Sequence, residues 1–168
     1  MDVLSHMSSV VRNNPCFVGV GNYYRRDDAV GLYITDGLKE YARPDLFSVV
    51  NAEDIIESYV FSIADSDCDS VIVVDAVSAE GEPGSVVFGR LCEIEDPGFG
   101  ASTHKLALGL CGKILEEKGK ATYLLGIVPK DIDFGLGLTE EVEKSAAIVR
   151  EYIIESLNKK EKETLHEH

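Results

Sequence analysis

Four β-branched residues in a row, Val71-Ile72-Val73-Val74, run directly into Asp75, and this stretch limits the possible folds of the chain more than any other. A short unbroken apolar run is buried on both faces, as in the centre of a parallel sheet. Parallel neighbours need long crossovers, which are usually helical, and the flanking sequence provides them. Cys16-Phe17-Val18-Gly19-Val20, Phe47 to Val50 and Tyr123 to Val128 read as further strands. Ser85 to Phe88 reads as another, after the turn Gly81-Glu82-Pro83-Gly84. Val30, Ile34, Leu38 and Tyr41 recur at helical spacing ahead of Pro44. Ile55, Ile56, Tyr59, Val60 and Ile63 give a second amphipathic helix, and Leu106, Leu110 and Ile114 a third. A long last helix is marked by Val142, Ala146, Val149, Ile153 and Leu157, with Thr139 as its N-cap and Glu140 and Glu141 complementing its positive end.

This alternation predicts a single-domain, three-layer α/β/α sandwich around a mostly parallel twisted sheet. A chain of 168 residues suits one such domain. The folded body is expected over residues 14–157. Residues 1–13 are expected to be a flexible leader and residues 158–168 a disordered polar tail carrying His166 and His168.

Charge narrows the function. The net charge is −14, and the largest basic groupings are the pairs Arg25-Arg26 and Lys159-Lys160. No basic stripe exists to displace counterions, so a nucleic-acid partner is excluded. Cys16, Cys68, Cys92 and Cys111 form no CxxC pair and fit no zinc-ribbon spacing, so they read as reduced thiols in a cytoplasmic protein. No basic segment precedes an apolar run at the start, and no stretch approaches the ~20 apolar residues of a membrane span.

In α/β sheets, ligands bind beyond the carboxyl ends of the strands. Three segments with titratable groups fall there: Gly19-Val20-Gly21-Asn22 through Asp27-Asp28-Ala29-Val30-Gly31, then Val74-Asp75-Ala76, then Ser102-Thr103-His104-Lys105-Leu106. The Gly19-x-Gly21 pair invites a dinucleotide reading, but Tyr24 takes the place of the third glycine. Two aspartates then open the helix, where a phosphate would need positive field. Capping accounts for one of Asp27 and Asp28 and leaves the other free. Asp75 ends an apolar strand, where an unpartnered charge is costly. His104 is the only histidine between Cys16 and Leu157; Ser102 or Thr103 capping the third helix would place it in the first turn, where the imidazole stays neutral. Two carboxylates and an imidazole meeting in one crevice make an O,O,N site suited to nickel, zinc or manganese. Gly-x-Ser-x-Gly is absent, and Cys16 lies inside a strand, so no serine or cysteine nucleophile is expected.

Gly19-x-Gly21-Asn22-x4-Asp27-Asp28-x-x-Gly31 resembles the N-terminal signature of hydrogenase maturation proteases. Val74-Asp75-Ala76 resembles their second block, Ser102-Thr103-His104-x-Leu106 their third, and Gly126-Ile127-x-Pro129 with Gly137-Leu138-Thr139 their fourth. Together the blocks span residues 16–157. The resemblance implies an α/β/α endopeptidase with Asp28, Asp75 and His104 as metal ligands and catalytic residues. Its substrate would be a nickel-loaded hydrogenase large-subunit precursor, which loses a C-terminal extension. Nickel would come with the precursor and serve as the recognition signal, although other divalent metals suit the same donors. A non-catalytic metal-sensing chaperone for the precursor is the alternative. Two departures stand out. The first ligand is often Glu in relatives, and Asp28 is one methylene shorter. A glycine-rich segment that many relatives carry after the second strand is here Val50-Asn51-Ala52-Glu53-Asp54.

Overall fold

The structure, a computed structural model, describes residues 2–41, 43–93 and 102–166, without the side chains of residues 102–106 and 164. The chain runs through α1 (Val3–Val11), β1 (Pro15–Val20), α2 (Val30–Tyr41), β2 (Ser48–Glu53), α3 (Val60–Ala64), β3 (Ser70–Ala76), β4 (Val86–Arg90), α4 (Ser102–Glu117), β5 (Ala121–Ile127) and α5 (Glu140–His166). The strands form one sheet in the order β2-β1-β3-β5-β4. Four of its strands, β2-β1-β3-β5, run parallel, and β4 closes one edge antiparallel to β5. The sandwich expected from the alternation is therefore the one that forms.

The β-branched run explains the layering. Successive strand residues point to opposite faces, so Ile72 and Val74 join Phe17, Leu125 and Ile127 beneath α1, α2 and α5. Val71 and Val73 join Val18, Val20 and Leu124 beneath α3 and α4. Burying each such side chain contributes roughly 1.5–3 kcal/mol, so the central strands anchor both cores.

The ends of the chain correct the sequence reading. The expected leader, residues 1–13, contains α1, whose Met7, Val10 and Val11 are buried in the core shared with α5. Asp2 caps it by accepting a hydrogen bond from the Ser5 amide. The polar tail expected to be disordered from 158 instead continues α5 as far as His166. Arg43 pairs with Glu161 at 2.7 Å, and Arg12 pairs with Glu163, so charge rather than apolar burial docks this last part.

Two helix readings also change. The residues around Ile55–Ile63 form a short 3-10 turn, Ile56–Ser58, followed by the brief α3. In α4 the buried stripe is Leu108, Cys111 and Leu115, while Leu110 is 62% exposed. Ile114 of the expected stripe packs against the same core, and the Leu106 side chain lies outside the described residues, so the correction falls on Leu110. Among the described residues, no helix is long and apolar enough to cross a membrane.

If α1 is integral to the fold, Met7→Ala should cost about 2–4 kcal/mol in urea unfolding, the usual penalty for a buried large-to-small change. A frayed leader would leave the midpoint unchanged.

Candidate metal site at the carboxyl edge of the sheet

The chain leaves β1 to form β2 on one side, and then returns over it to form β3 on the other. The crossover direction thus reverses between β1 and β3, and crevices open at such points beyond the strand ends. Asp28 and Asp75 lie on the two sides of this one.

Two glycines bring them together. Gly31, in the first turn of α2, sits so close to the strand ends that a Cβ there would lie 2.0 Å from the Val74 carbonyl oxygen and 2.8 Å from that of Val20. Any side chain would lift α2, and Asp28 with it, away from β3. At Gly21 φ is +149°, and a Cβ would lie 2.1 Å from the Asp28 carbonyl oxygen. The Gly-x-Gly pattern therefore serves close backbone approach rather than phosphate binding.

The two aspartates divide their roles. Asp27 is fully buried and accepts four hydrogen bonds, from the amides of Lys130 (2.9 Å), Asp131 (3.0 Å) and Thr139 (2.8 Å) and from the Thr139 hydroxyl (2.8 Å). It caps no turn of α2; it ties the loop after β5 and the start of α5 to the turn that carries Asp28. Thr139 stands at the N-cap position of α5, as expected, and its hydroxyl donates to Asp27. Charged acceptors with this many donors are strongly held, with roughly 1.5–3 kcal/mol for each such bond. Asp28 follows in the 3-10 turn Arg26–Ala29 and is half-buried.

Asp75 has the opposite environment. It is 3% exposed, and the only hydrogen bond it receives among the described residues is from the Ala76 amide, at 2.8 Å. Its carboxyl is pushed well above the usual carboxylate range, first by burial and then by the charge of Asp28, with the Ala76 amide opposing. A buried carboxylate facing a second carboxylate is the environment that a cation relieves. The donor chemistry therefore fits a divalent metal.

His104 falls in the first turn of α4, as the Ser102-Thr103 start suggests. The other end of this helix, Glu117, leads directly into β5. Its first turn is therefore at the carboxyl edge of the sheet, on the face toward which Val71, Val73 and Asp75 alternate. The His104 side chain lies outside the described residues. Among those described, no group of three His, Cys, Asp or Glu side chains is arranged to hold a metal.

Sequence reasoning did not find the loop network beside the site. The Tyr23 hydroxyl donates to Asp36 (2.6 Å) and accepts from the Asn51 amide nitrogen (2.7 Å). Burial, followed by the Asp36 contact, pushes Tyr23 up to about 12. Asn51 stands in the segment that lacks the glycines common in relatives, and here it anchors the loop after β1.

Asp75→Asn provides a direct check. A carboxyl raised in the folded state destabilises the protein progressively as pH rises above the unfolded value near 3.8 and through the folded value. The amide removes that penalty. Asp75→Asn is therefore expected to raise the melting temperature at pH 7 by at least about 3 °C, with the gain vanishing near pH 3.5. Equal melting at both pH values would contradict the assignment.

Comparisons with known proteins identify the family and the fold. The profile of the HycI hydrogenase maturation protease family matches residues 32–156. A Methanocaldococcus jannaschii protein named for the same family is 30% identical over 148 residues, covering 84% of this chain and 95% of that protein. The hydrogenase 2 maturation protease of Escherichia coli is 28% identical, over 83% of this chain and 88% of its own length. Among solved structures, the [NiFe] hydrogenase maturation protease HycI of Thermococcus kodakarensis superposes with a TM-score of 0.78 at 26% identity, covering 91% of this chain and 99% of that one. The E. coli endopeptidase HybD shares the fold, with a TM-score of 0.70 at 24% identity over 87% and 93%. On the strength of its sequence and its fold, the chain belongs to the hydrogenase maturation protease family and is a peptidase.

Proposed function

We propose that this peptidase removes the C-terminal extension of a nickel-loaded hydrogenase large-subunit precursor, reading the precursor's nickel as its signal. The observation that carries the reading is the acid pair at the chain-reversal point, with Asp75 buried and its charge opposed by that of Asp28. A protein that kept such a pair for packing alone would be more stable without it. The pair is explained when a cation arrives.

In this reading the cation is part of the substrate. Asp28, Asp75 and His104 complete the coordination of the precursor's nickel, and the extension then lies across the same crevice. Nickel polarises the scissile carbonyl or activates the attacking water. Burial and the charge of Asp28 favour the protonated form of Asp75, so protons compete with the metal for this carboxyl. Asp28 and Asp75 are the groups within reach of that water, and either can accept its proton. Asp27 positions Asp28 without touching substrate. The protein is expected to act in the cytoplasm.

Incubation with purified nickel-charged precursor, followed by intact-mass measurement, tests the proposal. The expected outcome is a mass loss equal to the extension, with His104→Ala retaining the fold and losing at least about a hundredfold in rate. A stable complex without cleavage would establish the chaperone alternative. Unimpaired cleavage by His104→Ala would remove this residue from the site.

A further inference from the structure

Beside the acid pair lies a surface that its chemistry does not use. Tyr24 is 68% exposed, Phe134 83%, Leu136 75% and Ile132 40%. Exposed apolar residues scattered singly are ordinary, but a patch of large ones marks an interaction site. These four sit on two segments that are stitched together. The Gly135 amide donates to the Tyr24 carbonyl (2.9 Å), the Arg26 amide to the Gly135 carbonyl (3.2 Å), the Asp27 amide to the Asp131 carbonyl (3.0 Å) and Arg25 Nε to the Ile132 carbonyl (3.1 Å). The buried Asp27 carboxylate clamps both flanks of the second segment, at Lys130–Asp131 and at Thr139. The patch is thus ordered before any partner arrives, which removes much of the entropic cost of docking.

From this placement we infer that Tyr24, Ile132, Phe134 and Leu136 form the docking platform for the precursor, engaging an apolar, carboxylate-bearing stretch that flanks its scissile bond. The inference rests on the proposed function. Three features select that occupant. The platform starts at Tyr24 and adjoins the turn that carries Asp28, so a chain whose nickel reaches Asp28 passes over it. Among the described residues no carboxylate forms an ion pair with Arg25, although the protein as a whole carries a charge of −14. Asp131 is paired with Arg26, and the Arg25 guanidinium offers a carboxylate on the occupant a contact beside the exposed Asp133 of the platform loop. A second copy of this chain, equally acidic overall, is disfavoured by that net charge.

Binding of the nickel-charged large-subunit precursor, measured by biolayer interferometry, tests the platform. Phe134→Ser/Leu136→Ser alters only exposed side chains, and circular dichroism checks its fold. The double variant is expected to weaken binding by at least about tenfold, and to raise KM by a similar factor while kcat holds. Arg25→Ala should weaken binding at low ionic strength and much less at high. Unchanged Kd and KM in the double variant would overturn the platform. So would a wild-type dimer that this variant dissociates without loss of precursor binding, since the patch would then serve self-association. An Arg25→Ala variant with unchanged affinity at both salt concentrations would overturn the carboxylate preference. If the wild type neither binds nor cleaves the precursor, the proposed function fails and the platform with it. Cleavage with normal affinity in the double variant sinks the platform alone.

Discussion

Repulsion between Asp28 and Asp75 at the rim of the sheet is the constraint on which the rest of the molecule depends. Asp75 is held out of water, and the negative charge facing it pushes its proton affinity up further. Such an arrangement costs stability and persists only where surrounding structure enforces it. Enforcement comes from both sides. The central strand, anchored in both cores, fixes Asp75. On the other side Gly31 lets α2 rest on the Val20 and Val74 carbonyls, and the four hydrogen bonds to Asp27 hold the neighbouring turn.

The Asp27-Asp28 pair shows how adjacent identical residues acquire different work. Asp27 turns toward the loop after β5, where its acceptor capacity is filled by backbone amides and one hydroxyl. Asp28 turns toward the crevice. Asp27 is therefore structural, while Asp28 sets its charge against Asp75. Asp27 also links three parts of the molecule: the turn that carries Asp28, the start of α5 and the exposed apolar loop.

Much of this was legible in the sequence because its signals are strong and local. Val71–Val74 specified the buried central strand, and Asp75 at its end specified the place to look. Val142, Ala146, Val149, Ile153 and Leu157 gave the face of α5. The failures were of three physical kinds. Residues 1–13 and 158–168 looked polar enough to fray, yet Met7, Val10 and Val11 find a core supplied by α5, and Arg12 and Arg43 recruit the glutamates at 161 and 163. Those partners lie over a hundred residues away in sequence, beyond any local pattern. In α4 the periodicity alone did not fix which turn of the apolar face lies deepest, and packing placed Leu108, Cys111 and Leu115 inward and Leu110 outward. The role of Asp27 depended on amides from residues 130, 131 and 139, which no spacing rule connects to it.

An anomalous difference map at the nickel edge, from crystals soaked in a nickel salt, tests the central claim most directly. A shared site gives one peak within about 2 Å of a carboxylate oxygen from each of Asp28 and Asp75 and a ring nitrogen of His104. Nickel bound only at surface histidines, with the two carboxylates reaching no common ion, would contradict it.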